Sequence, residues 1–65
     1  MIALYFTSRK YFRDKSTWRK EELPEDYTNE EVLYAAKLAN CEGVAIIANF
    51  GKPNQQVKLF KWFIA

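Results

Sequence analysis

The chain has 65 residues, enough for one domain (1–65), and a domain of this size buries only about 60% of its unfolded surface. One cysteine, Cys41, and no histidine exclude an internal disulfide and make a poor ligand set for structural zinc, which leaves self-association or a partner as the supplement to stability. The net charge of +2 hides segregation: Arg9, Lys10, Arg13, Lys15, Arg19 and Lys20 crowd one stretch, and Glu21, Glu22, Glu25, Asp26, Glu30 and Glu31 follow at once, so local sign rather than net charge steers an encounter.

In chain order, residues 2–7 are β-branched and aromatic and read as a strand, which Tyr11 and Phe12 continue or which ends before they open a second. Residues 13–16 are the turn candidate, because Asp14 and Ser16 hydrogen-bond locally to backbone. Residues 17–20 return as a short charged strand, suited to a sheet edge, and Pro24 ends it. Thr28-Asn29-Glu30-Glu31 is a capping box, with Tyr27 and Val32 at the hydrophobic-staple positions. A helix is predicted over residues 29–40, with Val32, Ala35, Ala36 and Ala39 as its apolar stripe, Leu33 and Leu38 widening it, and Asn40 and Gly43 as terminators. Residues 44–50 form a nearly continuous apolar run, the mark of a central strand, and residues 51–55 a loop.

Residues 57–65 complete the pattern as a strand that is apolar on both faces. Strict alternation assigns Val57, Leu59 and Phe63 to one face and Phe60, Trp62 and Ile64 to the other. The order β-β-α-β-β defines an α+β fold: a four-stranded, mainly antiparallel sheet with one helix packed on one face. One helix shields one face. The second is covered by Tyr11, Phe12 and Trp18 turned inward, or it is left for a partner.

The residues permit little catalysis. The commonest general base is missing, Ser8 and Ser16 lie in no nucleophile motif, and Cys41 follows a helix rather than preceding one. Gly51-Lys52-Pro53 lacks the spacing of a phosphate loop. We therefore expect no enzyme, no catalytic residue, no metal and no cofactor. Residues 9–20 interleave cations with aromatics, a composition that neutralises phosphates and stacks bases, or grips an acidic protein through Arg and Trp anchors. The lone thiol points to a reducing compartment, the cytoplasm. No run approaches the roughly 20 apolar residues of a membrane helix, and residues 1–7 lack the basic region and apolar core of a signal peptide.

The hairpin, the Thr-x-x-Glu-capped, alanine-rich helix of residues 28–39 and the closing strands together resemble several small phage-encoded inhibitors. These include anti-CRISPR proteins and inhibitors of host RNA polymerase. The resemblance is one of architecture and implies a viral anti-defence or host-takeover protein, acting by steric occupation of a host complex or by sequestering a signalling ligand. The expected contact residues, read from the chain itself, are Arg9, Arg13, Trp18, Arg19 and Lys20 for a polar or anionic partner. Phe60, Trp62 and Phe63 are those for an apolar one, a homodimer included. The alternative is a small nucleic-acid-binding protein using residues 9–20; a sponge for a small phosphate ligand and an accessory protein of a larger assembly complete the expectations.

Overall fold

The computed structural model describes residues 1–64. Strands β1 (Ile2–Phe6), β2 (Trp18–Glu22), β3 (Gly43–Ala48) and β4 (Gln56–Trp62) and the helix α1 (Asn29–Leu38) follow one another as β-β-α-β-β. The strands form one antiparallel sheet in the order β2-β1-β3-β4. Hence β1 and β3 are central, which explains why they are apolar at nearly every position: Ala3 to Phe6 and Gly43 to Ile47 are all buried. The charged strand β2 is an edge, as its composition predicts, and Pro24 follows it with no backbone N–H to extend the ladder.

The helix starts at Asn29 as predicted and ends at Leu38, two residues before the predicted limit at Asn40. Thr28 caps it, its Oγ1 accepting from the Glu31 N–H at 3.2 Å, and Glu30 and Glu31 occupy the positive end of the dipole. At the other end Asn40 adopts φ 58°; the Cys41 N–H donates to the Ala36 carbonyl and the Asn40 N–H to that of Lys37, both at 3.0 Å. This is a Schellman closure, and the hydrophobic contact that accompanies it is supplied by Cys41 and Ala36 in the same core cluster. The stripe is narrower than predicted. Val32 and Ala36 are buried and Leu33 and Ala35 half-buried, but Ala39 is exposed and Leu38 is 71% exposed.

The helix-side core joins Val32, Ala36 and Cys41 to Ala3, Tyr5, Val44 and Ile46, with Leu23, Tyr27, Leu33, Ala35, Leu59 and Phe63 around it. Each large apolar side chain buried here contributes about 1.5–3 kcal/mol. A second buried cluster, Leu4, Phe6, Ala45 and Ile47, lies on the opposite face of the sheet, where no helix covers it.

The pairing of β3 with β4 corrects the predicted faces of the last strand. Ile46 opposes Leu59 but Ile47 opposes Val57, so Lys58 is an extra residue in a β-bulge. The bulge moves Val57 to the uncovered face, with Phe60 and Trp62, while Leu59 and Phe63 pack toward the helix. The strand ends at Trp62; Ala65, included in the predicted strand, lies outside the described residues.

Two predictions follow from the helix-side packing. Thr28→Ala removes an exposed cap and should cost about 1 kcal/mol, read as a lower urea midpoint at constant m. Burial raises the Tyr5 hydroxyl above its ordinary value, assisted by Glu21 and Cys41, and burial likewise pushes the Cys41 thiol up, partly offset by Arg19. Both groups are favoured neutral in the fold, so their contribution is intact below the ordinary thiol range and is lost as pH rises through the raised values. Urea midpoints should therefore fall on the alkaline side, and in Cys41→Ala the fall should begin at higher pH.

Candidate functional site

The uncovered face is built row by row by the sheet register. β2 contributes Trp18, Lys20 and Glu22, β1 contributes Ile2, Leu4 and Phe6, β3 contributes Gly43, Ala45 and Ile47, and β4 contributes Val57, Phe60 and Trp62. Gly43 and Ala45 are small, which leaves a trough along the centre into which the rings of β1 and β4 lean. A Cβ at Gly43 would overlap the six-membered ring of Trp62, so glycine is required there for close approach, not for a special backbone angle. Phe6 and Phe60 stack across the trough with centroids 5.5 Å apart and planes at 27°, and Phe6 also meets Trp62 at 5.5 Å and Trp18, edge to face, at 5.4 Å.

The connection between β1 and β2 folds over one end of this face. Tyr11 and Phe12 neither continue β1 nor open a strand: Arg9–Tyr11 and Lys15–Thr17 are 3-10 turns. Ser8 Oγ accepts from the Lys10 N–H at 3.2 Å. Asp14 Oδ1 accepts from the Ser16 N–H and hydroxyl, which holds its carboxyl below the ordinary value and makes the predicted turn. The 3-10 geometry sends adjacent side chains in different directions. Phe12 turns inward, edge to face with Phe6 and with Trp62 at 6.4 and 5.4 Å, while Tyr11 is 54% exposed. The Trp18 Nε1–H donates to the Phe12 carbonyl at 2.6 Å and pins the loop to the sheet. Glu42 ties the same end together: its N–H donates to the Phe6 carbonyl, its carbonyl accepts from the Phe63 N–H, and its carboxylate accepts from the Arg9 N–H at 2.8 Å.

The loop does not reach the other end. There the face opens into a groove of about 560 Å3 bordered by Phe6, Phe12, Trp18, Phe50, Val57 and Phe60, with Leu4, Ala45 and Ile47 as its floor. Val57 is 56% and Phe60 47% exposed. Cations border it: Lys15 lines it directly, Lys20 Nζ lies 5.6 Å from the Phe50 ring and Arg13 5.7 Å from Phe12, while Arg9, 5.4 Å from Trp62, sits at the closed end. Each such contact is worth about 0.5–1 kcal/mol and leaves the charge at the surface. The carboxylates lie mostly elsewhere. Glu21 opposes Ala3 on the helix side, Glu30 and Glu31 start α1, and the connector with Glu25 and Asp26 leads to Tyr27 in the helix-side core; Glu22 is at the far end of the open face.

Of the expected contact residues, Arg9, Arg13, Trp18, Lys20, Phe60 and Trp62 are thus brought together. Arg19 opposes Tyr5 and Phe63 packs beside Lys37, both on the helix side. Period two carries a signal for the first: once Trp18 faces the core, Lys20 shares its face and Arg19 does not. Phe50, Val57 and Phe6 were missed; they read as ordinary strand residues. Cys41 is buried with its thiol raised, the reverse of an activated nucleophile, and among the described residues no group of three or more His, Cys, Asp or Glu is placed to hold a metal ion. No helix of the described residues is long and apolar enough to cross a membrane.

Comparison with family models, curated proteins and solved structures returned no match, so the face is interpreted from its own geometry.

Gly43→Ala should destabilise the protein by about 1–3 kcal/mol through the clash with Trp62. In a Trp62→Ala background the same substitution should cost less, and a double-mutant cycle on urea midpoints measures the difference.

Proposed function

We propose that this chain is a non-catalytic binding protein of the phage-inhibitor type, which acts on a host defence or host-takeover target by occupying it through the open face of the sheet. The observation that supports this reading is the half-covered aromatic face. The chain spends Phe12 and Trp18 on closing one end, yet leaves Val57 and Phe60 exposed beside a rim of cations at the other. Exposed apolar surface of this kind, ringed by polar groups, marks interaction sites, and Arg, Trp and Phe are residues that anchor them.

The dimensions suit the role. A standard interface takes about 800 Å2 from each partner. The described chain exposes 4808 Å2, so such a contact would use about one sixth of its surface. Occupation needs no moving part: the rings are already packed on one another and held by the Trp18 hydrogen bond, which lowers the ordering cost of binding.

The full chain, used as bait in bacterial host lysate, should recover one dominant complex. Phe60→Asp should weaken that capture about 30-fold, as expected for a hot-spot residue, while the helix-side variant Tyr34→Ser should leave it unchanged. Equal capture by the two variants would place the contact elsewhere and overturn the reading.

A further inference from the structure

We infer that the open face takes a short run of single-stranded nucleic acid, its bases against the exposed rings of the groove and its phosphates on the cationic rim; this rests on the reading of that face as the binding surface. The occupant follows from charge, from ring geometry and from what the alternatives would require.

Charge comes first. Arg13, Lys15 and Lys20 approach the groove from the β1–β2 connection and from β2, and their cationic groups lie over or beside its rings. Of the acidic stretch that follows them in sequence, only Glu22 shares this face, at its far end opposite Ile2. Glu21 points to the helix side by register, and the exposed Glu25 and Asp26 lie in the connector between Leu23 and Tyr27, both of which pack against the helix-side core. A phosphate backbone along the rim therefore meets cations, with the sheet between it and most of the carboxylates. Two copies of this chain placed face to face would instead oppose the same cations to one another. Edge pairing through β4 is disfavoured as well, because the bulge at Lys58 and the exposed Lys58 and Lys61 interrupt that edge.

Ring geometry comes second. Phe60 gives one face to Phe6 at 5.5 Å and is still 47% exposed, which leaves its other face to a planar group. Phe50, half-buried at the opposite wall beneath Lys20, offers a second ring. Bases in a single strand have free π-faces and stack on such rings without regard to sequence; bases in a duplex are already stacked on their neighbours. The groove runs from Phe60 on β4 to Trp18 on β2, so it suits a chain of nucleotides lying across the strands. Four strands about 4.8 Å apart give a path of roughly 14 Å across the sheet, room for a few nucleotides.

The test is fluorescence anisotropy of the full chain with labelled oligothymidine and oligouridine of about 12 nucleotides and with a blunt duplex of the same length. Both single strands should bind more tightly than the duplex. With three phosphates neutralised, the slope of log K against log salt should be about −2, an affinity loss of roughly 16-fold between about 50 and about 200 mM salt. Phe60→Ala should weaken binding about tenfold at fixed salt, Lys20→Glu should lower the salt slope, and Tyr34→Ser should change neither. Circular dichroism on each variant separates lost binding from lost folding, and Phe60 and Lys20 are exposed enough to be replaced without unfolding. No binding of either single strand at about 50 mM salt overturns the inference. If capture of a host protein still depends on Phe60 in that case, the occupant is protein and the reading of the face stands; if that dependence is missing too, both fail. Binding that ignores Phe60→Ala is electrostatic attraction to the surface and also overturns the inference.

Discussion

The indole of Trp62 lies where a side chain on Gly43 would be, and the layout of the open face follows from that contact. A four-stranded sheet has two faces, and this chain has one helix to cover them. On the second face the central strand β3 carries glycine and alanine at adjacent same-side positions, so the rings of β1 and β4 fall inward and meet over it. Phe6 becomes the hub, packed against Phe12, Trp18, Phe60 and Trp62. Aromatic pairs in edge-to-face or offset arrangements are worth about 0.5–1.5 kcal/mol beyond their buried area, so the cluster stands in part for the missing second layer.

The β1–β2 connection is the other half of that substitute. Its two 3-10 turns are short and locally hydrogen-bonded, and they need no core of their own. They deliver Phe12 to the cluster, and Trp18 satisfies its only polar group on the Phe12 carbonyl. The same turns place Arg9, Arg13 and Lys15 around the aromatic surface. The loop that closes one end of the face thus also supplies charge at the border of the end it leaves open.

The two sides of the sheet divide the chemistry. The helix side holds most carboxylates, the buried thiol and the well-packed aliphatic core. The open side holds the aromatic cluster with Arg9, Arg13, Lys15 and Lys20 around it, while Arg19, Lys37 and Lys61 stay on the helix side. A net charge of +2 conceals this, because the sheet keeps the two signs apart in space as well as in sequence. A binding protein gains from such a division, since long-range steering depends on local potential and an anionic partner approaching the open face sees few acids.

Much of the fold was legible along the chain. The Thr28 cap, the Asn40 terminator, the unbroken apolar run of β3 and the charged edge strand β2 all depend on interactions within a few residues, which sequence order preserves. The candidate face was legible only in part. Trp18, Phe60 and Trp62 stand out by residue type, but alternation alone put Val57 on the wrong side, because a bulge is a property of two paired strands and Lys58 gives no local sign of it. Phe12 and Tyr11 are alike in composition, and the 3-10 turn decided which of them faces inward. Phe50 becomes a groove wall only because its loop closes over the end of β3. What the sequence by itself determined was therefore the set of elements, their capping and their polarity, all short-range matters. The tertiary structure alone decided which side chains share a face, because that depends on register, on a bulge and on the absence of a Cβ at Gly43 under the ring of Trp62.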